Sequence, residues 1–90
     1  MNTFPLTIVT PAEARPARDV ISVDLPGEEG RLTIMAHHEP LVCLLRQGVA
    51  QIRTSEGDPQ DWVIEGGTLT VSLDSVTLLT RDARPAPRRP

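Results

Sequence analysis

Two adjacent histidines, His37 and His38, precede Glu39, and the single cysteine Cys43 follows closely in the chain. Imidazole, carboxylate and thiolate groups are the ligands that zinc prefers in proteins. Neighbouring side chains of a strand point to opposite faces, however, so the two histidines are badly placed to share one ion. The sequence offers no second cluster of His or Cys to complete a tetrahedral set. We therefore expect no metal site and no cofactor.

A cysteine with a nearby histidine could also form a thiol nucleophile. A catalytic thiol needs a lowered pKa and a third group that orients its base. Cys43 instead lies within Leu41–Arg46, a nearly continuous apolar run of strand length. A cysteine in such a run behaves as a small buried hydrophobic residue. We expect no catalytic residue, and a small enzyme using Cys43 and His38 remains an alternative.

The acidic residues do not indicate a sugar site. Acidic pairs occur at 28–29 and at Asp58 and Asp61, and glycosidases use paired carboxylates. Sugar clefts and single-stranded nucleic acid sites both rely on aromatic rings, and this chain has only Phe4 and Trp62. The acids are therefore expected to lie in solvated turns.

The charge distribution argues against a nucleic acid partner. The 90 residues carry a net charge of −3, and all nine basic residues are arginines. Residues 1–80 hold five arginines against eleven acids, a net charge of −6, which would repel phosphates. The sequence has no apolar stretch long enough to cross a membrane and no signal-peptide pattern. We interpret it as a cytoplasmic protein with no inserted segment.

The elements that would position these residues are short and interrupted by Pro and Gly. Leu69, Val71 and Leu73 alternate with polar residues, a period typical of strands. Such segments, separated by turn residues, predict an all-β fold, a small β-sandwich of about eight to ten short, mostly antiparallel strands. The expected strands are Leu6–Val9, Val20–Leu25, Leu32–Ile34, Leu41–Arg46, Val49–Thr54, Trp62–Ile64, Leu69–Leu73 and Val76–Thr80, with a turn at Glu56–Pro59.

The composition changes near the end of the chain. Residues 83–90 are rich in Arg and Pro and offer nothing to bury, which is typical of a disordered tail. The sequence therefore predicts one domain over residues 1–82 followed by a tail over 83–90.

The order of these segments resembles the N-terminal β-sandwich domain of the epsilon subunit of F-type ATP synthases. The family opens with a strand like the one that ends before Pro11, and a later strand runs into a Gly-acid-Gly turn, here Gly27–Gly30. The resemblance extends over residues 5 to 82. The further matching positions are Leu32, Ile34, His38, Pro40, Leu41, Gly48, Gly66, Gly67, Leu69, Val71, Val76, Thr77 and Leu79.

The chain also departs from the family pattern. Arg31 stands where the family usually has Glu, Thr33 where it has Gly, and Ala36-His37 where it has Pro-Gly. The family continues into a two-helix C-terminal domain that these residues do not include. We therefore do not expect the autoinhibition and ATP binding that belong to those helices.

The resemblance implies a non-catalytic rotor subunit. Its role would be to join the gamma subunit to the ring of c subunits in the central stalk, coupling ion translocation to ATP synthesis or hydrolysis. It would be peripheral to the membrane, at the cytoplasmic face of the inner (plasma) membrane. The implied gamma-subunit interface is Thr10, His38, Pro40 and Leu41, and the implied c-ring interface is Glu28, Glu29 and Arg31.

Two further interpretations remain open, a protein-binding sandwich of another complex and a self-assembling structural domain.

Arg31 also suggests a hypothesis within the rotor interpretation. If the c-subunit loop carries a compensating acid, Arg31→Glu would weaken ring attachment. Exposed charge pairs contribute only about 0–1 kcal/mol each, so the expected effect is small.

Overall fold

The computed structural model describes residues 2–55 and 59–86, and the described residues form strands joined by turns. This confirms the predicted all-β sandwich class. The predicted turn residues 56–58, including Asp58, and residues 87–90 of the expected tail lie outside the described part. The strands are β1 (Phe4–Val9), β2 (Arg18–Val20), β3 (Ser22–Gly27), β4 (Gly30–Met35), β5 (Leu41–Arg53), β6 (Gln60–Val71), β7 (Val76–Leu79) and β8 (Ala83–Ala86).

The strands are hydrogen bonded in the order β2-β1-β7-β6-β5-β3-β4, and β8 pairs with β6. The β1–β7 pair is parallel, and the other named pairs are antiparallel. We call the part containing β4, β3, the second half of β5, the first half of β6 and β8 layer I. Layer II contains β2, β1, β7, the second half of β6 and the first half of β5.

A bend in the long β5–β6 hairpin creates these two layers. Within β6, residues 61–64 pair with β8, whereas residues 68–71 pair with β7. Gly66 and Gly67 separate the two halves and have φ angles of 77° and 128°. Residues other than glycine rarely adopt these φ angles, so the two glycines allow one strand to pass from layer I to layer II. The predicted separate strands Trp62–Ile64 and Leu69–Leu73 are therefore two halves of β6, and the predicted Leu41–Arg46 and Val49–Thr54 are likewise two halves of β5.

The two layers enclose one apolar core. Leu6, Leu25 and Ile64 are almost fully buried, and each lies at an alternate position of its strand. Trp62 is also buried, and the Arg15 guanidinium lies 4.7 Å from the centre of its ring, closing one end of the core. The other buried apolar residues are Phe4, Ile8, Val20, Val23, Ile34, Leu45, Ala50, Ile52, Leu69, Val71, Val76, Leu78 and Ala83.

The single strand predicted over Val20–Leu25 is wrong, because the chain changes layer within it. Val20 pairs with Phe4 in layer II, whereas Val23 pairs with Ile34 in layer I. Between them the Ile21 amide donates to the Arg53 carbonyl oxygen at 2.7 Å. The buried position is Val20 before the crossover and Val23 and Leu25 after it, so the period-two alternation shifts by one residue there. The adjacent apolar residues Val20 and Ile21 are the trace of this shift in the sequence.

The sandwich also extends beyond its predicted end at residue 82. Ala83–Ala86 forms β8, which pairs with β6 from Asp61 to Ile64. Ala83 is buried in the core, so this part of the Arg/Pro-rich segment does contribute a side chain to packing. Pro85 is compatible with an edge strand, where a missing amide proton is tolerated.

Replacing Gly67 by Ala should strongly destabilise the domain. A Cβ atom there would collide with the Leu79 carbonyl oxygen, and the residue would also keep an unfavourable φ. We expect the free energy of unfolding, measured by urea denaturation, to fall by about 3 kcal/mol or more.

Gly30→Ala is the matched control for this change. Gly30 has the same φ of 128°, but a Cβ there would contact nothing within 4 Å. Its cost should be the backbone term alone, about 1–3 kcal/mol. Equal losses for the two variants would contradict the importance of the close approach at Gly67.

Candidate protein interface

The outer surface of layer II is built from two rows of uncharged side chains. One row runs across the sheet as Val42, Thr70, Thr77 and Thr7, and the next as Leu44, Thr68, Leu79 and Val9. These positions alternate with the core residues of the same strands, so their side chains point away from the core. We call these eight residues the Thr–aliphatic face.

Large apolar side chains of this face are open to solvent. The exposed fraction is 68% for Val42, 56% for Leu44 and 52% for Leu79. The threonines between them add methyl groups and hydroxyls but no charge. A contiguous exposed surface of this kind is typical of protein interaction sites.

The outer surface of layer I has the opposite character. Arg84 lies 3.7 Å from a Glu65 carboxylate oxygen and 3.4 Å from one of Asp82. Gln47 donates to Glu65 at 3.2 Å, so charged and amide groups link neighbouring strands there. The molecule therefore has one polar surface on which charges are paired within the chain, and one surface whose eight central residues carry no charge.

The predicted gamma-subunit residues lie around the edge of the Thr–aliphatic face. Thr10 directly follows Val9 at one corner, where its amide and hydroxyl both donate to the Glu13 carbonyl oxygen. Together with Pro11 and Leu79, Thr10 lines a shallow groove at that corner.

His38, Pro40 and Leu41 lie at the diagonally opposite corner. The His38 amide donates to the Met35 carbonyl oxygen at 3.2 Å, and its Nδ1 bonds to the Glu39 carbonyl oxygen at 2.7 Å. Pro40 is exposed, whereas Leu41 packs against the core. The structure therefore brings the four residues to the border of one surface without making them its centre.

Sequence reasoning missed the central residues of the face, although the apolar run Leu41–Arg46 contained a signal for them. A strand with one wet face alternates apolar and polar residues, and this run does not. Val42 and Leu44 are apolar at positions where an alternating strand would have polar residues, and these two side chains point outward.

Two of the predicted c-ring residues, Glu28 and Glu29, lie on the β3–β4 turn at the side of the Thr–aliphatic face. Glu28 and Glu29 are both exposed. The Glu28 amide donates to the Leu44 carbonyl oxygen at 3.0 Å, and Arg46 Nη2 donates to the Glu28 carbonyl oxygen at 3.1 Å. The turn is thus anchored to β5 while its carboxylates remain free to meet a partner.

Arg31 follows this turn on β4, and its guanidinium is directed back over layer I. Its Nε lies 3.1 Å from Asp24 Oδ1, and one Nη donates to the Val49 carbonyl oxygen at 2.9 Å. Arg31 therefore differs from Glu28 and Glu29, because the charge of Arg31 is already paired with Asp24 within the chain.

A groove of about 520 Å³ separates the β3–β4 turn from β5, and Cys43 contributes to its lining. Partial burial raises the pKa of the Cys43 thiol, which disfavours the reactive thiolate. Within residues 2–55 and 59–86, no three His, Cys, Asp or Glu side chains are grouped closely enough to hold a metal ion. The described chain also contains no helix of the length and apolarity needed to span a membrane.

Comparison with known proteins assigns this arrangement to a family. Residues 3–86 match the family described as ATP synthase, Delta/Epsilon chain, beta-sandwich domain. An ATP synthase epsilon chain from Rhizobium rhizogenes is 33% identical over 84 residues, which are 93% of this chain and 62% of that protein. The chain therefore spans less than two thirds of the length of this relative.

Solved structures agree with the fold. A chain in the cryo-EM structure of the Euglena gracilis mitochondrial ATP synthase that includes the c-ring has a TM-score of 0.86 and 26% identity. The match covers 92% of this chain and 53% of that one. A chain of the Tetrahymena thermophila mitochondrial ATP synthase central stalk and c-ring has a TM-score of 0.80 at 19% identity, covering 91% of this chain and 66% of that one.

The family match covers nearly all the described residues, and the two-layer sandwich agrees with it. The resemblance seen in the sequence is thereby confirmed, and the chain belongs to the family of ATP synthase delta/epsilon chain β-sandwich domains.

Proposed function

We propose that this domain is a non-catalytic part of the central stalk of an F-type ATP synthase, where it joins the gamma subunit to the c-ring. In this role it couples ion translocation to ATP synthesis or hydrolysis. The relatives named ATP synthase epsilon chain and the solved assemblies containing a c-ring support this assignment. The domain would be peripheral to the membrane, at the cytoplasmic face of the inner membrane.

The Thr–aliphatic face is the observation that carries the proposal, because it offers a broad surface without charge. A permanent interface buries apolar side chains in its centre and leaves charged residues at the rim. Val42, Leu44 and Leu79 would supply that apolar centre. Thr10, His38 and Pro40 would then contact the gamma subunit at the rim.

The β3–β4 turn would provide the second contact of the joint. Glu28 and Glu29 project from the side of the sandwich, and neither has an ion-pair partner among the described residues. They would face basic groups of the c-ring loops. The turn and the Thr–aliphatic face are on neighbouring sides of one body, so the two partners can be held at once.

The mechanism of such a joint is mechanical. Torque from the ring must reach distant catalytic sites, so the connecting body must resist deformation. Two hydrogen-bonded layers around a close-packed core provide that stiffness. The β5–β6 hairpin runs through both layers, which links the ring-facing turn directly to the gamma-facing surface.

Leu79→Asp tests the gamma-facing surface. It places a charge in the centre of the Thr–aliphatic face, and binding would leave that charge buried without a partner. We expect affinity for the gamma subunit of the same source to fall about 30-fold or more, as for a residue at the centre of an interface. The measurement is calorimetric titration, with native mass spectrometry to establish a 1:1 complex.

Val49→Asp is the matched control, since Val49 is 41% exposed on the outer surface of layer I. It should bind the gamma subunit as the unchanged chain does. Equal losses for both variants would contradict the assignment of this face. Failure of the unchanged chain to bind any gamma subunit would favour a sandwich that serves another complex.

Exchanging the charges of Arg31 and Asp24 tests whether Arg31 contacts the ring. Arg31→Glu alone loses the Asp24 pair and places two carboxylates together, which should cost about 1 kcal/mol of unfolding free energy. Adding Asp24→Arg to Arg31→Glu restores the pair in reverse. We expect this double variant to regain the stability of the unchanged chain and to retain c subunits as well as the unchanged chain does. The measurements are urea unfolding and co-purification of c subunits.

A double variant that regains stability but still loses c subunits would show that binding to the ring depends on the sign of the charge at position 31. That outcome would support the hypothesis of a compensating acid on the c-subunit loop and contradict the internal role proposed for Arg31.

Cys43 should react slowly with thiol reagents in the native chain. Burial raises its pKa, so less thiolate is present near pH 8 than in the unfolded chain. We expect labelling by a disulfide reagent to be about 10-fold slower than in urea. Faster labelling of the native chain would instead support an enzyme using Cys43.

A further inference from the structure

The first half of β5 is an edge strand, and one side of its backbone is open. In layer II this segment pairs with β6 through Val42 and Thr70, and β3 leaves its other side after Gly27. The Leu44 carbonyl group points to that other side, because it accepts the Glu28 amide. Alternate residues of a strand direct their backbone groups to the same side, so the amide and carbonyl of Val42 also point there.

No hydrogen-bond partner for these two Val42 groups occurs within the described part of the chain. Exposed edges of this kind pair readily with another strand unless something blocks them. Here no proline, lysine or inward charge protects Val42–Leu44. The edge is instead flanked by the groove of about 520 Å³, which the β3–β4 turn closes on its far side.

The walls of this groove suit one type of segment. Val42 and Leu44 extend the Thr–aliphatic face to its rim, so a strand added there would continue the same uncharged surface. On the opposite wall Glu28 and Glu29 are exposed acids, and Arg31, which also lines the groove, has its charge paired with Asp24. A strand with apolar residues at alternate positions and a Lys or Arg next to the turn would match both walls.

We propose that the free edge of β5 at Val42–Leu44 binds an extended segment of the gamma subunit by strand addition, with the Val42 amide and carbonyl pairing to its backbone. This inference rests on the proposed function, since it takes the gamma subunit as the partner. Backbone pairing supplies affinity, while the apolar and acidic walls select the segment. The added strand lies between the gamma-facing surface and the ring-facing turn, so one segment braces both contacts.

Amide hydrogen exchange on the isotope-labelled chain tests this pairing, with and without the gamma subunit. In the free chain the Val42 amide should exchange rapidly, whereas the Cys43 amide, which points to β6, should be protected. In the complex we expect exchange of the Val42 amide to slow about 100-fold or more. An unchanged Val42 amide in a formed complex would overturn the inference and leave the proposed joint intact.

Val42→Pro provides an independent measurement. It removes the amide proton that faces the edge, and proline is tolerated at such positions of an edge strand. Val42→Thr is the control, because it keeps both the amide proton and the branched shape. We expect Val42→Pro to weaken gamma binding about 10-fold more than Val42→Thr does, so that the difference between the two variants reports the backbone pairing apart from the side chain.

The outcomes separate the two proposals. Equal affinities for Val42→Pro and Val42→Thr would overturn strand addition without affecting the joint. Absence of gamma binding by the unchanged chain would overturn both. If Val42→Pro does not fold, the exchange rates of the unchanged chain still decide the question.

Discussion

The β5–β6 hairpin is the constraint on which the rest of the structure depends. Each strand is long enough to serve both layers, and the pair stays in register from Leu41 and Val71 to Ile52 and Gln60. The chain can therefore form a sandwich only if this ribbon bends. Gly66 and Gly67 supply the backbone angles for the bend, and the neighbouring strands then attach to one layer or the other.

The same ribbon gives the molecule two unlike outer surfaces. Where β5 belongs to layer I, Gln47 and Gln51 bond to carboxylates of β6. Where it belongs to layer II, Val42 and Leu44 face outward beside threonines. On the polar surface Arg31 and Arg84 pair with carboxylates of the chain itself. The uncharged surface loses little hydration when covered, and this asymmetry supports the proposed role of the domain as a mechanical joint.

The sequence was sufficient for the class of fold, because period-two alternation and turn residues survive in nearly every segment. It was insufficient where one run serves two layers, as at Ile21 and at Gly66-Gly67. The alternation of buried positions changes phase there, from Val20 to Val23 and from Ile64 to Leu69, and a single period-two pattern does not locate such a change. Arg31 illustrates a further limit. Its type and position indicated a charge available to a partner, whereas the fold places Asp24 and the Val49 carbonyl group within its reach. Pairings between residues distant in sequence decide such roles.

The parallel pairing of β1 with β7 also constrains how the domain can form. β2 can pair with one side of β1 early, but on the other side Leu6 pairs with Val76, so β1 finds β7 only after the long segment between them is present. Pairings between such distant residues are slow to form, because a large loop must close before they stabilise anything. During synthesis the N-terminal strand must therefore wait with its apolar side uncovered. The strand that opens the chain is one of the last to be secured, which makes the time before β7 emerges the period of greatest exposure to misassembly.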